Sequence, residues 1–386
     1  MKFGKSIREL WTLDDNVTYL NHGSYGATPL EIIKAAEKIQ RELEREPVSF
    51  FADKYFDLLR YNAAELASFI GTRQGNIALL ENATAAVNTV LRSILPSLRN
   101  KDEIIINNHT YPAVKMACKY IADVSGCTIK EITLPYPQNS YDEWIDLYAH
   151  SINKSTKLII IDHILYTTGA IAPVKEIAEI AREKNVPVLV DGAHVPGMIE
   201  LNIDSLGVDW YTGNCHKWLF APKGAAFLYT APAQQNKTHP LSISYYYGES
   251  YTKEFDWTGT HNPASQLVIS KAIDFHRRLG STDIYNYIHK LVIEGRKKIA
   301  DELNYDTTIP DNMSGALAAI ELYDIKPKKE DYVNELRKHF FKKYNIEVAF
   351  AEFDGRILLR LSAQIYNKIS DYNKLTKALK DFLPKL

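Results

Sequence analysis

Cysteine is scarce in this sequence: Cys118, Cys127 and Cys215 are the three in 386 residues. The odd count and the unpaired spacing argue against a disulfide framework and against a zinc-ligand motif, and they imply a reducing compartment. Net charge is nearly absent too, with 46 basic against 47 acidic residues. No basic stripe or polybasic segment stands out, so neither nucleic acid nor a membrane surface is an expected partner. Long apolar runs are missing: KLIIIDHILY is the most apolar stretch, and it is too short and too charged to cross a bilayer. The opening MKFGKSIRELW lacks the apolar core of a signal peptide. The expectation is a soluble, cytoplasmic protein without a metal site. Glycine (18) and proline (16) are not in excess, and no repeat or low-complexity segment is visible.

What is present is an alternation of short apolar strands with helical patterns. NIALL (76–80) is followed by the helical stretch 83–95, DEIIIN (102–107) by 112–124, and TKLIIID (156–162) by the amphipathic APVKEIAEIAREK (172–184). VPVLVD (186–191) shows no period-two alternation, as expected of a strand covered on both faces. Such alternation predicts an α/β fold with a mainly parallel, doubly covered sheet. The last third changes character, with two helical stretches and strand candidates at 316–322, 346–351 and 356–362, the pattern of a smaller C-terminal α+β domain. The expected organisation is an N-terminal segment with an active-site loop over residues 1–30, a large domain over 31–262 and a small domain over 263–386.

Parallel sheets bind ligands at the carboxyl ends of their strands. Asp191 stands at such an end, in VLVDGAH. Alone, it would read as a turn cap. Lys217 follows in CHKWLF, among Cys215, Trp218, Leu219 and Phe220. Apolar neighbours lower a lysine pKa and favour Schiff-base chemistry, although a lone lysine is ordinarily a solvated surface residue. Together the two residues point to pyridoxal 5'-phosphate (PLP), which needs an amine as its carrier and an anion beside its pyridine nitrogen. Asn82 is a natural helix N-cap, and the amides of Ala83 and Thr84 beyond it suit a phosphate dianion, though an ordinary cap reads the same way. His216 is a second phosphate donor, and His194 is placed to reach the phenolic oxygen. Either His109 or Tyr111, in NNHTYPA, is expected to cover the pyridine ring.

LNHGSYGATP, ENATAAVN, VLVDGAHVPG, TGNCHKWLFAPKG, DWTGTHNP and LRLSAQIYN occur in that order. In these six stretches the chain resembles the class V aminotransferases, fold-type I PLP enzymes that include cysteine desulfurases, and within them the isopenicillin N epimerase-like branch. The resemblance implies that Lys217 carries the cofactor and Asp191 pairs with its pyridine nitrogen. It implies His194 near the phenolic oxygen, and Ala83, Thr84 and His216 at the phosphate. It also implies a homodimer in which Thr260 reaches the partner's phosphate. Arg360 matches the arginine that binds the substrate carboxylate, and Asn21 and His22 match the loop that approaches a small amino-acid substrate. On residue type alone, Arg360 would be a surface arginine and Asn21 an Asx-turn residue.

Four reactions follow from that resemblance. Cysteine desulfurase chemistry needs a late nucleophilic cysteine, and none follows Cys215. Transamination needs a second carboxylate clamp, and none is legible. Epimerase or racemase chemistry is the leading expectation and requires an acid opposite Lys217, for which Tyr111, His109 and a bound water are the candidates. A β-eliminating carbon–sulfur lyase is the alternative and needs only Lys217. No G-x-G-x-x-G follows an early strand, which argues against a nicotinamide enzyme. The presence of both Lys217 and Asp191 argues against an inactive binding protein.

Overall fold

The computed structural model describes residues 3–138, 140–327 and 331–385. In chain order the strands are β1 (Thr18–Tyr19), β2 (Ile77–Leu80), β3 (Glu103–Asn107), β4 (Thr128–Ile132), β5 (Thr156–Asp162) and β6 (Val188–Asp191). They continue with β7 (Trp210–Asn214), β8 (Ala226–Thr230), β9 (Leu317–Glu321), β10 (Ile346–Glu347), β11 (Ala349–Phe353) and β12 (Arg356–Ser362). A seven-stranded sheet has the order β2-β8-β7-β6-β5-β3-β4. Only β8 runs against its neighbours β7 and β2, so the sheet is mainly parallel.

The continuous apolar runs are explained by cover on both sides. Ile159 and Ile161 of β5, with Val188 and Val190 of β6, face one core with Ile177 and Ala181 of the helix Val174–Glu183. Leu158, Ile160 and Leu189 face a second core, against Val87 and Leu91 of the helix Ala83–Ile94 and Val114 and Cys118 of the helix Pro112–Ser125. Strand alternation assigns residues two apart to one face. Asp162, Asp191 and Asn214 therefore follow Ile160, Leu189 and Trp210 onto the second face, at the carboxyl ends of three adjacent strands.

The smaller unit is an antiparallel sheet, β11-β12-β9, with the helices Ser281–Leu303, Tyr332–Tyr344 and Ile369–Phe382. The helix Ile269–Arg278, which the sequence groups with this unit, packs instead on Tyr55–Phe69 of the large one. The chain turns after it at Gly280, whose φ is 83°. The N-terminal stretch is tied to the small unit, because β1 pairs in parallel with β10.

Three features depart from the sequence expectation. Trp210–Asn214, legible only as part of a site motif, is the central strand β7. Thr18–Tyr19 lies in a stretch read as loop, and its strand character comes wholly from the distant β10. The run 346–351 breaks at Val348 into β10 and β11, which join different sheets. Among the described residues no helix is long and apolar enough to cross a membrane, and no metal-binding cluster is present.

Candidate active site

The carboxyl ends of β5, β6 and β7 open onto a cavity of about 190 Å³ lined by Asp162, Asp191, Asn214, the Asn82–Thr84 turn, Tyr111 and Lys217. Each side chain is delivered by a short local device. Asp191 ends β6, and its Oδ1 accepts the Ala193 amide at 3.0 Å, which tightens the Gly192 turn. Lys217 follows β7 in a turn that Phe220 closes with φ of 67°, a left-handed backbone that a bulky side chain rarely adopts. Gly197 passes close by: a Cβ there would lie 2.6 Å from Leu219 N.

Lys217 Nζ lies 3.2 Å from His194 Nε2. Burial, and then the positive charge of Arg360, lower the lysine pKa from 10.5 to about 7, while Asp191 opposes the shift. His194 is held well below its ordinary range by burial and by Lys217, so its ring is neutral. Its edge rests on Trp218, with ring centroids 5.6 Å apart.

Asn82 caps the helix Ala83–Ile94, its side chain accepting the Ala85 amide at 2.8 Å. Asn214, a residue the motifs did not single out, accepts the Ala83 amide at 2.9 Å and fixes the helix end to β7. Thr84 lines the cavity beside them, so the positive end of a twelve-residue helix faces it. His216 also lines the cavity and donates Nδ1–H to Ala225 O at 3.0 Å. The neutral ring is then an acceptor at Nε2. It donates to a phosphate only when protonated, which the dianion itself would favour.

Arg360, on β12, is 8% exposed. Its Nη1 donates to Tyr166 O at 3.0 Å and its Nη2 to Ser24 Oγ at 2.7 Å, while Nε has no partner. Asp162 Oδ2 and His194 Nδ1 are likewise buried without partners. Buried polar atoms are normally satisfied, so two unpaired ones lining the cavity, with a third on Arg360, whose partners Ser24 and Tyr166 line it, mark a place for a polar ligand. An amine near neutrality, a carboxylate, a helix N-terminus and a guanidinium are the set that a pyridine aldehyde phosphate and an amino acid require. The residues fit PLP.

Three sequence assignments land elsewhere. His109 is not at the cavity: its ring stacks on Phe353 at 3.9 Å and its Nδ1 meets Thr167 Oγ1 at 2.6 Å. The residue two positions on, Tyr111, lines the cavity instead and stands edge-on to Tyr166 at 5.3 Å. Asn21 turns away, donating to Glu347 Oε1 at 2.9 Å and accepting from Ser24 Oγ at 2.6 Å. His22 is buried between Tyr366 OH (2.7 Å) and the Lys217 carbonyl (3.0 Å). Ser24, two residues later, makes the loop's direct bond to Arg360. Thr260 lies in a separate groove with Glu81, Ala85 and Thr89.

The family described as aminotransferase class-V matches residues 19–351. The chain is 29% identical to the isopenicillin N epimerase of Amycolatopsis lactamdurans, covering 97% of this chain and 98% of that one. It is 27% identical to an L-cysteine desulfhydrase of Arabidopsis thaliana, over 95% of this chain and 88% of that one. Among solved structures, a C-DES mutant with glycine covalently linked to its PLP cofactor superposes with a TM-score of 0.84 at 21% identity, over 97% and 99% of the two chains.

Proposed function

This chain belongs to the class V aminotransferase family and is a PLP-dependent enzyme, and from that premise we propose that it is a β-eliminating carbon–sulfur lyase acting on L-cysteine or an S-substituted L-cysteine. One observation carries the choice among reactions. Among the basic side chains lining the cavity, Lys217 is the one set near neutrality, its amine lowered to about 7. Burial holds His194 and His216 neutral, the latter lowered to about 4, and His109 is turned into the protein. Removal of a Cα proton with loss of a Cβ substituent needs one such group, whereas inversion at Cα needs a second on the opposite side.

In this reading Arg360 grips the substrate carboxylate through the N–H groups not engaged by Tyr166 and Ser24. Lys217 would be the amine that holds the cofactor, and its Nζ is the group placed to take the Cα proton. Bound PLP would supply the sink for the electron pair left at Cα. Loss of that proton and of the sulfur substituent, as hydrogen sulfide from L-cysteine or a thiol from an S-substituted one, leaves a three-carbon enamine fragment, which water converts to pyruvate and ammonia. Asp191 would meet the pyridine nitrogen, His194 would lie at the phenolic oxygen, and Thr84 with a protonated His216 would hold the phosphate, the Ala83 amide being already given to Asn214. A homodimer completes the site through Thr260, a proposal supported by the exposed apolar groove of Val48, Phe51, Phe56 and Trp257 beside it.

Proton NMR in deuterated water, with L-cysteine and S-ethyl-L-cysteine as substrates, tests the assignment. Pyruvate and ammonia are expected from both, with hydrogen sulfide from L-cysteine and ethanethiol from S-ethyl-L-cysteine. The D-enantiomer carrying deuterium at Cα would instead establish epimerase chemistry, the reading that the 29%-identical epimerase supports, with Tyr111 as the second proton donor.

A further inference from the structure

The chemistry above uses Asp191 and leaves a second carboxyl without a role. Asp162 ends β5 as Asp191 ends β6, and the two are register partners on neighbouring parallel strands. Strand alternation sends both side chains to the same face, so the carboxyls project side by side from strands about 4.8 Å apart. Both line the cavity, and they are 3% and 6% exposed.

Their surroundings are unequal. Asp191 Oδ1 accepts the Ala193 amide at 3.0 Å, and the Lys217 amine lies close enough to favour its charge. Asp162 Oδ1 accepts a longer bond, 3.3 Å, from the Tyr111 amide, and its Oδ2 is buried without a partner; the Thr110 and Asn107 side chains beside it favour its charge, but less than burial and Asp191 oppose it. The other titratable groups around Asp162 are Cys118 from the helix Pro112–Ser125, Tyr148 from the helix Tyr141–Ser151, and Tyr166 beyond β5. All three are pushed upward by burial, so they are neutral near pH 7 and bring no cation. A buried carboxylate with one bare oxygen is costly, and two adjacent carboxyls do not both ionise when one proton relieves their repulsion.

We propose that Asp162 and Asp191 are a one-proton pair at the pyridine end of the cofactor, Asp162 holding the proton and Asp191 the charge. Asp162 is thus a positioning residue. It acts through Asp191, whose single charge then matches the single charge of a protonated pyridine nitrogen, and through the Tyr111 amide, which it holds beside the cavity. Burial and the neighbouring Asp191 raise the Asp162 carboxyl to about 8, in keeping with that order of ionisation. The pair therefore gains its second charge as pH rises into the alkaline range.

The inference rests on the PLP reading of the cavity, and its test separates the two. Infrared spectra of the holo-protein, with and without ¹³C-carboxyl-labelled aspartate, report protonated aspartic acid directly. At neutral pH a labelled protonated-acid carbonyl band is expected, lost at alkaline pH and absent from Asp162→Asn. The visible band of bound cofactor should shift over the same pH range in the wild type and not in that variant. Absence of the infrared band from the wild type overturns the proposal, and this arm needs no folded variant. Persistence of the band in Asp162→Asn also overturns it, by placing the proton elsewhere. The same band in protein that binds no PLP would uphold the shared proton and overturn the cofactor reading.

Discussion

His22 Nε2 lies 3.0 Å from the carbonyl oxygen of Lys217, so a loop nearly two hundred residues away in sequence grips the backbone of the cavity lysine. The carbonyl only accepts, which puts the proton on Nε2 and makes Nδ1 the acceptor for Tyr366 OH at 2.7 Å. Burial lowers the imidazole to about 3, so the ring stays neutral in this relay. His22→Ala strands the Lys217 carbonyl and the Tyr366 hydroxyl in a closed space. A loss of about 2–4 kcal/mol in unfolding free energy is expected from urea titration. Because Arg360 is untouched, kcat should fall with KM little changed.

Gly26 presses on the same backbone. A Cβ there would stand 2.4 Å from His216 O and 2.7 Å from Lys217 Cα. Gly26→Ala should therefore destabilise by about 1–3 kcal/mol and accelerate cofactor loss on dialysis. Gly75→Ala, where nothing lies within 4 Å, serves as the control and should do neither.

The Lys217 pKa sets the pH dependence of cofactor capture. Only the free amine attacks an aldehyde, and its population grows as pH rises through about 7 rather than through the ordinary 10.5. Stopped-flow mixing of cofactor-free protein with PLP should show a rate that increases with pH, half-maximal at about 7. A rate still climbing steeply above about pH 9 would mean an unperturbed lysine.

Ser24 is expected to govern substrate affinity. It holds Arg360 Nη2 at 2.7 Å and is itself oriented by Asn21, which Glu347 fixes in turn. Ser24→Ala removes one of the two bonds that aim the guanidinium and should raise KM roughly tenfold with kcat largely kept, the effect of one hydrogen bond to a charged group. Arg360→Lys cannot reproduce the fork and should raise KM by about a hundredfold. Steady-state kinetics with S-ethyl-L-cysteine separates the two effects.

Much of this was legible in the chain because it is encoded locally. Asp191 stands at the end of an apolar run, and Lys217 sits among aromatic residues before a Pro-Lys-Gly turn. Such patterns show the strand end and the buried amine without a fold. Asp162, Asn214 and Ser24 acquire their roles only across the fold: Asp162 from pairing with β6, Asn214 from the Ala83 amide 131 residues away, and Ser24 from Arg360, 336 residues away. Asp162 was in plain view in TKLIIID, and the signal available was a second apolar run ending in a carboxylate beside the one ending at Asp191. His109 and Tyr111 were separable only by the direction of a turn, which the packing of His109 on Phe353 decides. His22 and Asn21 stand at motif positions in the loop, and both buried side chains turn toward its support.

The proposed function rests on Lys217 as the carrier amine of a PLP site. Borohydride reduction of the holo-protein, followed by proteolysis and mass spectrometry, tests it without assuming a substrate. The reduced cofactor's mass is expected on the peptide containing Cys215, Lys217 and Trp218, and none in Lys217→Ala. The label on another lysine, or an unlabelled protein that still shows the visible band, would contradict it.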